Sequence, residues 1–296
     1  MTPVRLSVKA SPQRVDRATL DATWRLAGEL GVFHAIWLND HLTDLADDRS
    51  GPSLEALTLA GTLAHRVPGM WIGHGVLSNT FRHPAVLAKA ATVLDQATGG
   101  RFILGLGAGW HEGEHRAFGI PLPPLRERID RLESAVGVIR ALFSPEAAAP
   151  PGVTRDDPFY PLREATNEPG PLRAGGPPIY LGGQGPRGLR LAAASADGWL
   201  LPGVNAGDAA YMREKVEALR RELDGAGRDQ AAFTFVGQVA VGDDRAAAVE
   251  SGLRLVDAGA TELILQMRSA LGPPELRAIA SDVVPRLQER LAAVAR

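Results

Sequence analysis

The sequence contains no cysteine, and this absence removes several kinds of chemistry. Disulfide bonds, thiolate nucleophiles and cysteine-ligated metal sites are all excluded. Lysine is scarce as well, with 3 residues against 29 arginines, which we interpret as the mark of GC-rich coding.

The sequence also lacks a strong excess of charge and long apolar runs. The formal net charge is −2, so there is no basic field to attract nucleic acid or an anionic membrane. No run approaches the roughly 18 apolar residues that span a bilayer, and the first residues lack the apolar core of a secretory signal. We therefore expect a cytoplasmic protein that binds neither nucleic acid nor membrane.

What the sequence does contain is a repeated alternation of strand-like and helix-like segments. Eight short apolar runs lie at 4–8, 34–38, 71–77, 101–106, 178–181, 199–201, 233–241 and 262–267. Each precedes a segment with helical periodicity, at 16–30, 53–65, 84–97, 124–143, 186–196, 208–224, 245–258 and 274–294. This α/β pattern predicts a (β/α)₈ TIM barrel that occupies residues 1–296 as a single domain.

One segment interrupts the alternation. Residues 144–176, before the fifth strand, hold seven prolines and few residues of the buried type. A loop of this length is either a lid or a disordered insertion. Together with 41–52, we expect it to build the substrate chamber.

In a barrel of this kind the active site forms at the carboxyl ends of the strands. The second strand ends in Asp40 and His41, which are suited to binding cofactor hydroxyls and relaying a proton. The alternative is an aspartate that caps a turn beside a histidine on the rim. The third strand carries Gly73 and Gly75, which indicate either close approach to a ligand or a bulge.

Further candidates follow the third and fourth strands. Ser78 is placed to donate to a ring carbonyl, whereas Arg82 and His83 are interpreted as structural. Gly105, Gly107 and Gly109 alternate, which predicts cleared space for a flat group. Trp110 either packs in the core or walls a ring pocket.

The fifth strand runs through Gly182, Gly183 and Gly185 into a helix. Exposed backbone N–H groups and the helix dipole favour an anion there, and Arg187 would add charge. The alternative is a tight turn followed by an exposed arginine.

The sequence at these strand ends resembles the luciferase-like monooxygenase superfamily, and most closely its branch dependent on coenzyme F420, a deazaflavin. The resemblance lies in FRHPA (81–85), ATGGRFILGLGAGW (97–110), PIYLGG (178–183) and ADGW (196–199). It implies a ring in the barrel mouth, a phosphate on the glycine turn after the fifth strand, and a non-prolyl cis peptide bond at Gly75–Val76. The implied cofactor-binding residues are Asp40, Gly75, Val76, Ser78, Gly107, Ala108, Gly109, Trp110, Gly182, Gly183, Gln184, Gly185 and Arg187.

The resemblance also bears on catalysis. It implies hydride transfer between the deazaflavin and a small organic substrate, and it implies a homodimer. His41 matches the histidine that some relatives have beside the reactive ring carbon, and the catalytic proton donor is left as His41, His111 or no side chain at all. The sugar-phosphate dehydrogenases of the branch have a glutamate after the glycines of the fourth strand, and Trp110 stands in that place here. This departure argues against a sugar phosphate as the substrate.

Three other interpretations remain open at this point. A metallohydrolase barrel would need a His-x-His pair on the first strand, but residues 5–9 contain no histidine. A carrier that binds the cofactor without turnover is favoured if 144–176 plugs the barrel. FMN is the alternative cofactor, for a luciferase-like monooxygenase, although the arginine-rich composition fits actinobacteria, in which deazaflavin is common.

Overall fold

The strands form a parallel barrel that closes on itself. The computed structural model describes residues 3–45, 51–267 and 272–294. Its barrel strands are β1 (Arg5–Lys9), β2 (Ala35–Leu38), β3 (Trp71–His74), β4 (Phe102–Gly107), β5 (Ile179–Gly182), β6 (Gly198–Leu200), β7 (Thr234–Ala240) and β8 (Glu262–Gln266). Each strand pairs in parallel with the next, and β8 pairs with β1. The predicted (β/α)₈ barrel is therefore confirmed.

Helices surround this barrel. They are α1 (Arg17–Leu30), α2 (Ala56–Leu63), α3 (Pro84–Ala97), α4 (Glu112–Ala117), α5 (Leu125–Leu142), α6 (Pro186–Ser195), α7 (Ala209–Gly225), α8 (Arg245–Asp257), α9 (Pro273–Ala278) and α10 (Val284–Val294). A π-helical turn, Ile279–Val283, joins α9 to α10. The predicted helices end within about three residues of these bounds, but the six-residue α4 was not predicted. None of the described helices is long and apolar enough to cross a membrane.

Two apolar layers hold the barrel together. Alternate residues of β1, such as Leu6 and Val8, point outward and pack under the helices. The inward layer is a smaller cluster around Trp37 and Tyr180, to which Ile103, Val236 and Ile264 also belong. The interior is not wholly apolar, because Ser7 of β1 donates to the buried Glu262 of β8 across 2.7 Å.

The long insertion packs along the outside of the barrel. It forms a 3₁₀ turn, Pro145–Ala148, and an antiparallel pair of strands, Val153–Arg155 and Leu162–Ala165. Asn167 donates to Thr92 of α3 and to the Leu142 carbonyl of α5, at 2.9 and 3.0 Å.

This packing corrects the expectation of a lid or a disordered segment. Residues 144–176 pack along the outer faces of α3 and α5. Their contacts run from Tyr160, whose ring lies 5.2 Å from that of His83 at the start of α3, to Arg173, which lies over Trp71 at the amino-terminal end of the barrel. Of the other predicted chamber loop, 41–52, residues 46–50 lie outside the described part of the chain.

Candidate functional site

The carboxyl end of β2 places a buried aspartate in a tight ion pair. Both oxygens of Asp40 accept from Arg82, at 2.7 and 2.8 Å, and Oδ2 also accepts from the backbone N–H of Ser78 at 2.8 Å. Arg82 binds Glu55 as well. The structural role expected for Arg82 is thus observed, and most of the hydrogen-bonding capacity of Asp40 is used within the protein.

His41, the next residue, binds a carboxylate that the sequence analysis did not single out. Its Nδ1 lies 3.1 Å from Oε2 of Glu114, while Oε1 of Glu114 accepts from the backbone N–H groups of Leu42 and Thr43. Burial alone would raise the pKa of Glu114, but the hydrogen bonds from His41 and from these two N–H groups outweigh it and lower the pKa. Glu114 is therefore ionised at neutral pH.

The charge of Glu114 fixes the tautomer of His41. A carboxylate only accepts hydrogen bonds, so the hydrogen between them is carried by Nδ1 of His41. The proton that His41 exchanges with other groups is then the one at Nε2. A ring oriented in this way by a buried carboxylate is the usual arrangement of a histidine acid or base.

Two aromatic residues lie beside His41. Trp110 and His111 have ring centroids 5.9 and 6.4 Å from that of His41, both nearly perpendicular to it. Trp110 is 60% exposed, so it does not pack in the core and can line a pocket. His111 is the N-cap of α4, because its Nδ1 accepts from the N–H of Glu114 at 3.0 Å.

The capping hydrogen bond indicates a structural role for His111. An Nδ1 that accepts carries no hydrogen, and protonating it removes the cap. His111 therefore organises α4, and α4 in turn carries Glu114 to His41. Of the two predicted catalytic histidines, the geometry favours His41 as the proton carrier.

The glycines at the end of β4 and just after it make room for protein atoms. A Cβ at Gly105 would lie 1.7 Å from the carbonyl oxygen of His74, and one at Gly107 would lie 2.7 Å from Val76. Gly109, at φ +80°, would place its Cβ 2.6 Å from Thr80 and 2.7 Å from Ser78. The idea that these glycines clear space for a flat ligand is thus corrected, because the segment that follows β3 takes that space.

That segment contains the cis peptide bond implied by the resemblance, Gly75–Val76. After it, the short strand Leu77–Ser78 pairs with Leu106 and Gly107 of β4. A Cβ at Gly182 of β5 would lie 3.3 Å from Val76, so the half-buried Val76 stands between the ends of β4 and β5. Ala108 follows, half-buried.

The turn after β5 leads into the amino terminus of α6. Gly185 caps this ten-residue helix without a side-chain hydrogen bond, and Pro186 follows it. A Cβ at Gly183 would lie 3.3 Å from the Cα of Gly188 on α6. The close packing of the turn against this helix therefore explains the glycine at position 183. The first-turn N–H groups fit an anion.

Two predicted residues of this turn point to neighbouring helices. Arg187 forms ion pairs with Asp130 at 2.6 Å and Glu133 at 3.7 Å, both on α5. The expectation that Arg187 adds charge to the anion site is therefore wrong in this conformation. Gln184 accepts from the hydroxyl of Tyr211 at 2.5 Å, which ties the turn to α7.

A buried lysine at the end of β1 also escaped the sequence analysis. Lys9 Nζ lies 3.2 Å from Oε1 of Gln238 and 3.5 Å from the Gly75 carbonyl of the cis peptide. Burial lowers the pKa of Lys9 to about 8. No motif surrounds Lys9. The only feature of the sequence that could have pointed to it is its place at the end of β1, on the same face of the strand as Ser7.

Within residues 3–45, 51–267 and 272–294, no group of three or more histidine, aspartate or glutamate side chains is arranged to hold a metal ion.

The fold is a (β/α)₈ barrel, and the polar residues Asp40, His41 and Ser78 lie at the carboxyl ends of its strands, where the active sites of such barrels form. The sequence matches the luciferase-like monooxygenase family over residues 1–293, and the chain belongs to that family.

Individual relatives are consistent with this assignment. The chain is 33% identical over 227 residues to an F420-dependent glucose-6-phosphate dehydrogenase of Microbacterium testaceum, covering 76% of this chain and 64% of that protein. It is 32% identical over 215 residues to a phthiodiolone/phenolphthiodiolone dimycocerosates ketoreductase of Mycobacterium bovis, covering 67% of this chain and 54% of that protein. The chain thus spans less than two thirds of the length of these relatives.

Solved structures share the fold. An F420-dependent secondary alcohol dehydrogenase, in complex with an F420-acetone adduct, superposes with a TM-score of 0.79 at 18% identity. The match covers 97% of this chain and 99% of that one. At this level of identity the similarity establishes the architecture alone.

Proposed function

We propose that the protein is an F420-dependent oxidoreductase that interconverts a small alcohol and its carbonyl compound, with His41 as the proton carrier. Three similar proteins support this substrate class, because their names describe a sugar-phosphate dehydrogenase, a ketoreductase and a secondary alcohol dehydrogenase. The sugar-phosphate dehydrogenases of the F420-dependent branch have a glutamate at the position that Trp110 occupies here. This difference favours a substrate without a sugar phosphate.

The observation that carries this proposal is the His41–Glu114 pair at the barrel mouth, with Nδ1 of His41 held 3.1 Å from an ionised carboxylate. When bound, the deazaflavin supplies an obligate two-electron hydride acceptor or donor. Oxidation of an alcohol also releases the hydroxyl proton, which Nε2 of His41 accepts. Glu114 stabilises the resulting imidazolium, and in the reverse direction Nε2 returns the proton to the carbonyl oxygen.

The residues at the mouth fit such a cofactor. The start of α6, where no side chain caps the first turn, lies next to Gly182 and Gly183 and provides backbone donors for its phosphate. Val76, Ser78 and Trp110 lie at the strand ends where a flat ring would rest, and Asp40 keeps its remaining acceptor capacity for a hydroxyl of the side chain.

Parallel titrations of the purified protein with F420 and with FMN test the cofactor assignment. We expect F420 to bind with a dissociation constant well below about 100 µM and FMN to bind more weakly. Preferential binding of FMN would instead support the luciferase-like monooxygenase. If neither cofactor binds in that range, the proposal is wrong.

Turnover separates an enzyme from a cofactor carrier. We expect the protein to reduce F420 with a member of a panel of short secondary alcohols, or to oxidise reduced F420 with the matching ketones. Tight F420 binding without turnover across the panel would favour the carrier.

We also propose that the protein is a homodimer, which the resemblance alone supports. Sedimentation velocity over a range of protein concentrations would show a dimer boundary, and a monomer throughout would refute this point.

A further inference from the structure

A chain of hydrogen bonds connects the end of the segment that follows β3 to the first turns of α4. Ser78 Oγ lies 2.7 Å from Thr80 Oγ1, which lies 2.7 Å from Nε2 of His115. Nδ1 of His115 lies 2.9 Å from the carbonyl oxygen of His111. Ser78 and His115 are buried, and Thr80 is half-buried.

The carbonyl group at one end decides which atom donates in each bond. A carbonyl oxygen only accepts, so Nδ1 of His115 carries a hydrogen. In the neutral ring Nε2 is then a lone pair, and it must accept from the hydroxyl of Thr80. Thr80 has a single hydroxyl hydrogen, so its oxygen accepts the hydrogen of Ser78. The Ser78 Oγ atom has then used its only hydrogen, so toward any further group it can act only as an acceptor.

The surroundings keep this arrangement in place. Gly109 passes so close that a Cβ there would lie 2.6 Å from Thr80 and 2.7 Å from Ser78. The ring of Phe81 lies 5.0 Å from that of His115, centroid to centroid. The backbone N–H of Ser78 is already bound to Asp40, so the free capacity of this residue is at Oγ.

We propose that Ser78 is a hydrogen-bond acceptor in the cofactor pocket that selects ligands presenting an N–H group, such as the imide of a pyrimidinedione ring. His115 is a positioning residue that sets this polarity through Thr80. The inference rests on the proposed function for the nature of the ligand, and it reverses the expectation that Ser78 donates to a ring carbonyl.

The tautomer can be measured without any cofactor. Nitrogen-15 spectra of the imidazole rings, with the His115 signals identified by their loss in His115→Gln, should show a hydrogen on Nδ1 and an unprotonated Nε2 at pH 7.5. A hydrogen on Nε2 would overturn the inference. This result stands whether or not F420 binds, so it is separate from the fate of the proposed function.

Binding of paired probes tests the selectivity. The wild-type protein should bind 5-deazariboflavin about tenfold more tightly than its N3-methyl derivative, since one hydrogen bond of this kind is worth up to about a factor of ten. Ser78→Ala should weaken binding of the first probe and reduce the ratio of the two affinities to near one. An unchanged ratio in Ser78→Ala would refute the acceptor role.

Substitutions of Thr80 provide the matched control. Thr80→Ser keeps a hydroxyl between Ser78 and His115, so it should preserve the ratio. Thr80→Val removes the acceptor for the Ser78 hydroxyl, which becomes free to donate, so the ratio should fall by about threefold or more. Equal ratios in the two variants would show that Thr80 does not transmit the polarity.

Discussion

Glu114 on α4 fixes the orientation of His41, which lies 73 residues earlier in the chain, through a hydrogen bond of 3.1 Å to Nδ1. The same carboxylate binds the backbone of Leu42 and Thr43, so it holds both the ring and the loop that carries it. A single buried side chain thus sets the geometry of the proposed proton carrier.

The first prediction concerns this pair. His41→Ala should lower kcat by about 10²- to 10⁴-fold, as is usual when a general acid or base is removed, while the dissociation constant of F420 changes little. Glu114→Gln should lower kcat less, because the ring remains but the charge that stabilises the imidazolium is lost. Steady-state kinetics and a cofactor titration measure the two quantities.

The control for this experiment is His65→Ala, since His65 is exposed in the 3₁₀ turn after α2, away from the mouth. It should leave kcat unchanged. If kcat of His41→Ala equals that of the wild type, His41 is not the proton carrier.

The second prediction concerns the pH dependence of stability caused by Lys9. Burial lowers its pKa to about 8 in the folded protein, against 10.5 in the unfolded chain. Between these values the unfolded chain binds the extra proton, so the free energy of unfolding rises with pH. Relative to Lys9→Met, the wild type should gain about 3 kcal/mol from pH 7 to pH 10.5.

Urea unfolding of both proteins at several pH values measures this difference. Lys89→Met is the matched control, because Lys89 is exposed on α3. It should show no such trend relative to the wild type. If the difference in the free energy of unfolding between the wild type and Lys9→Met does not change with pH, the amine of Lys9 is solvated in the folded wild type.

The third prediction compares a buried ion pair with an exposed one. The Arg82 side chain is 15% exposed and binds the buried Asp40, whereas Arg187 is 43% exposed beside Asp130. Arg82→Gln leaves a carboxylate buried without its partner and should destabilise the fold by about 3–5 kcal/mol.

Arg187→Gln should cost at most about 1 kcal/mol. Chemical unfolding gives both values, and equal costs would contradict the burial of the Asp40 pair. Arg187→Gln should also leave the affinity for F420 unchanged, because Arg187 is paired with α5.

The fourth prediction concerns Gly105. A Cβ at this position would lie 1.7 Å from a backbone oxygen, which cannot move away as a side chain can. Gly105→Ala should therefore destabilise the protein by more than about 4 kcal/mol, at the extreme of single substitutions.

Gly61→Ala on α2 is the control, since its Cβ would meet only Leu94 at 3.8 Å. That change should stabilise the protein by about 0.5–1 kcal/mol through helix propensity. Thermal unfolding compares the two variants. A mild effect of Gly105→Ala would mean that the segment after β3 can shift away from β4.

Local pattern was enough to predict the barrel. Each βα unit is recognisable in the sequence as a short apolar run followed by a segment with helical periodicity. Pro84 in addition indicates the start of α3, because proline is favoured at the first position of a helix. The short α4 was not predicted, because six residues provide too little periodicity to detect. The course of 144–176 was not predicted either, because its few anchors, such as Asn167, bind partners far away in the chain.

The candidate site divides in the same way. The sequence by itself determined the strand ends, and with them the positions of Asp40, His41, Ser78 and Gly182, because polar and glycine residues follow the apolar runs there. Only the tertiary structure decided that Arg82 pairs with Asp40, that Glu114 orients His41, and that the space beside Gly107 belongs to Val76. Each of these relations joins residues from different βα units, and their distances depend on how the barrel closes rather than on any local pattern.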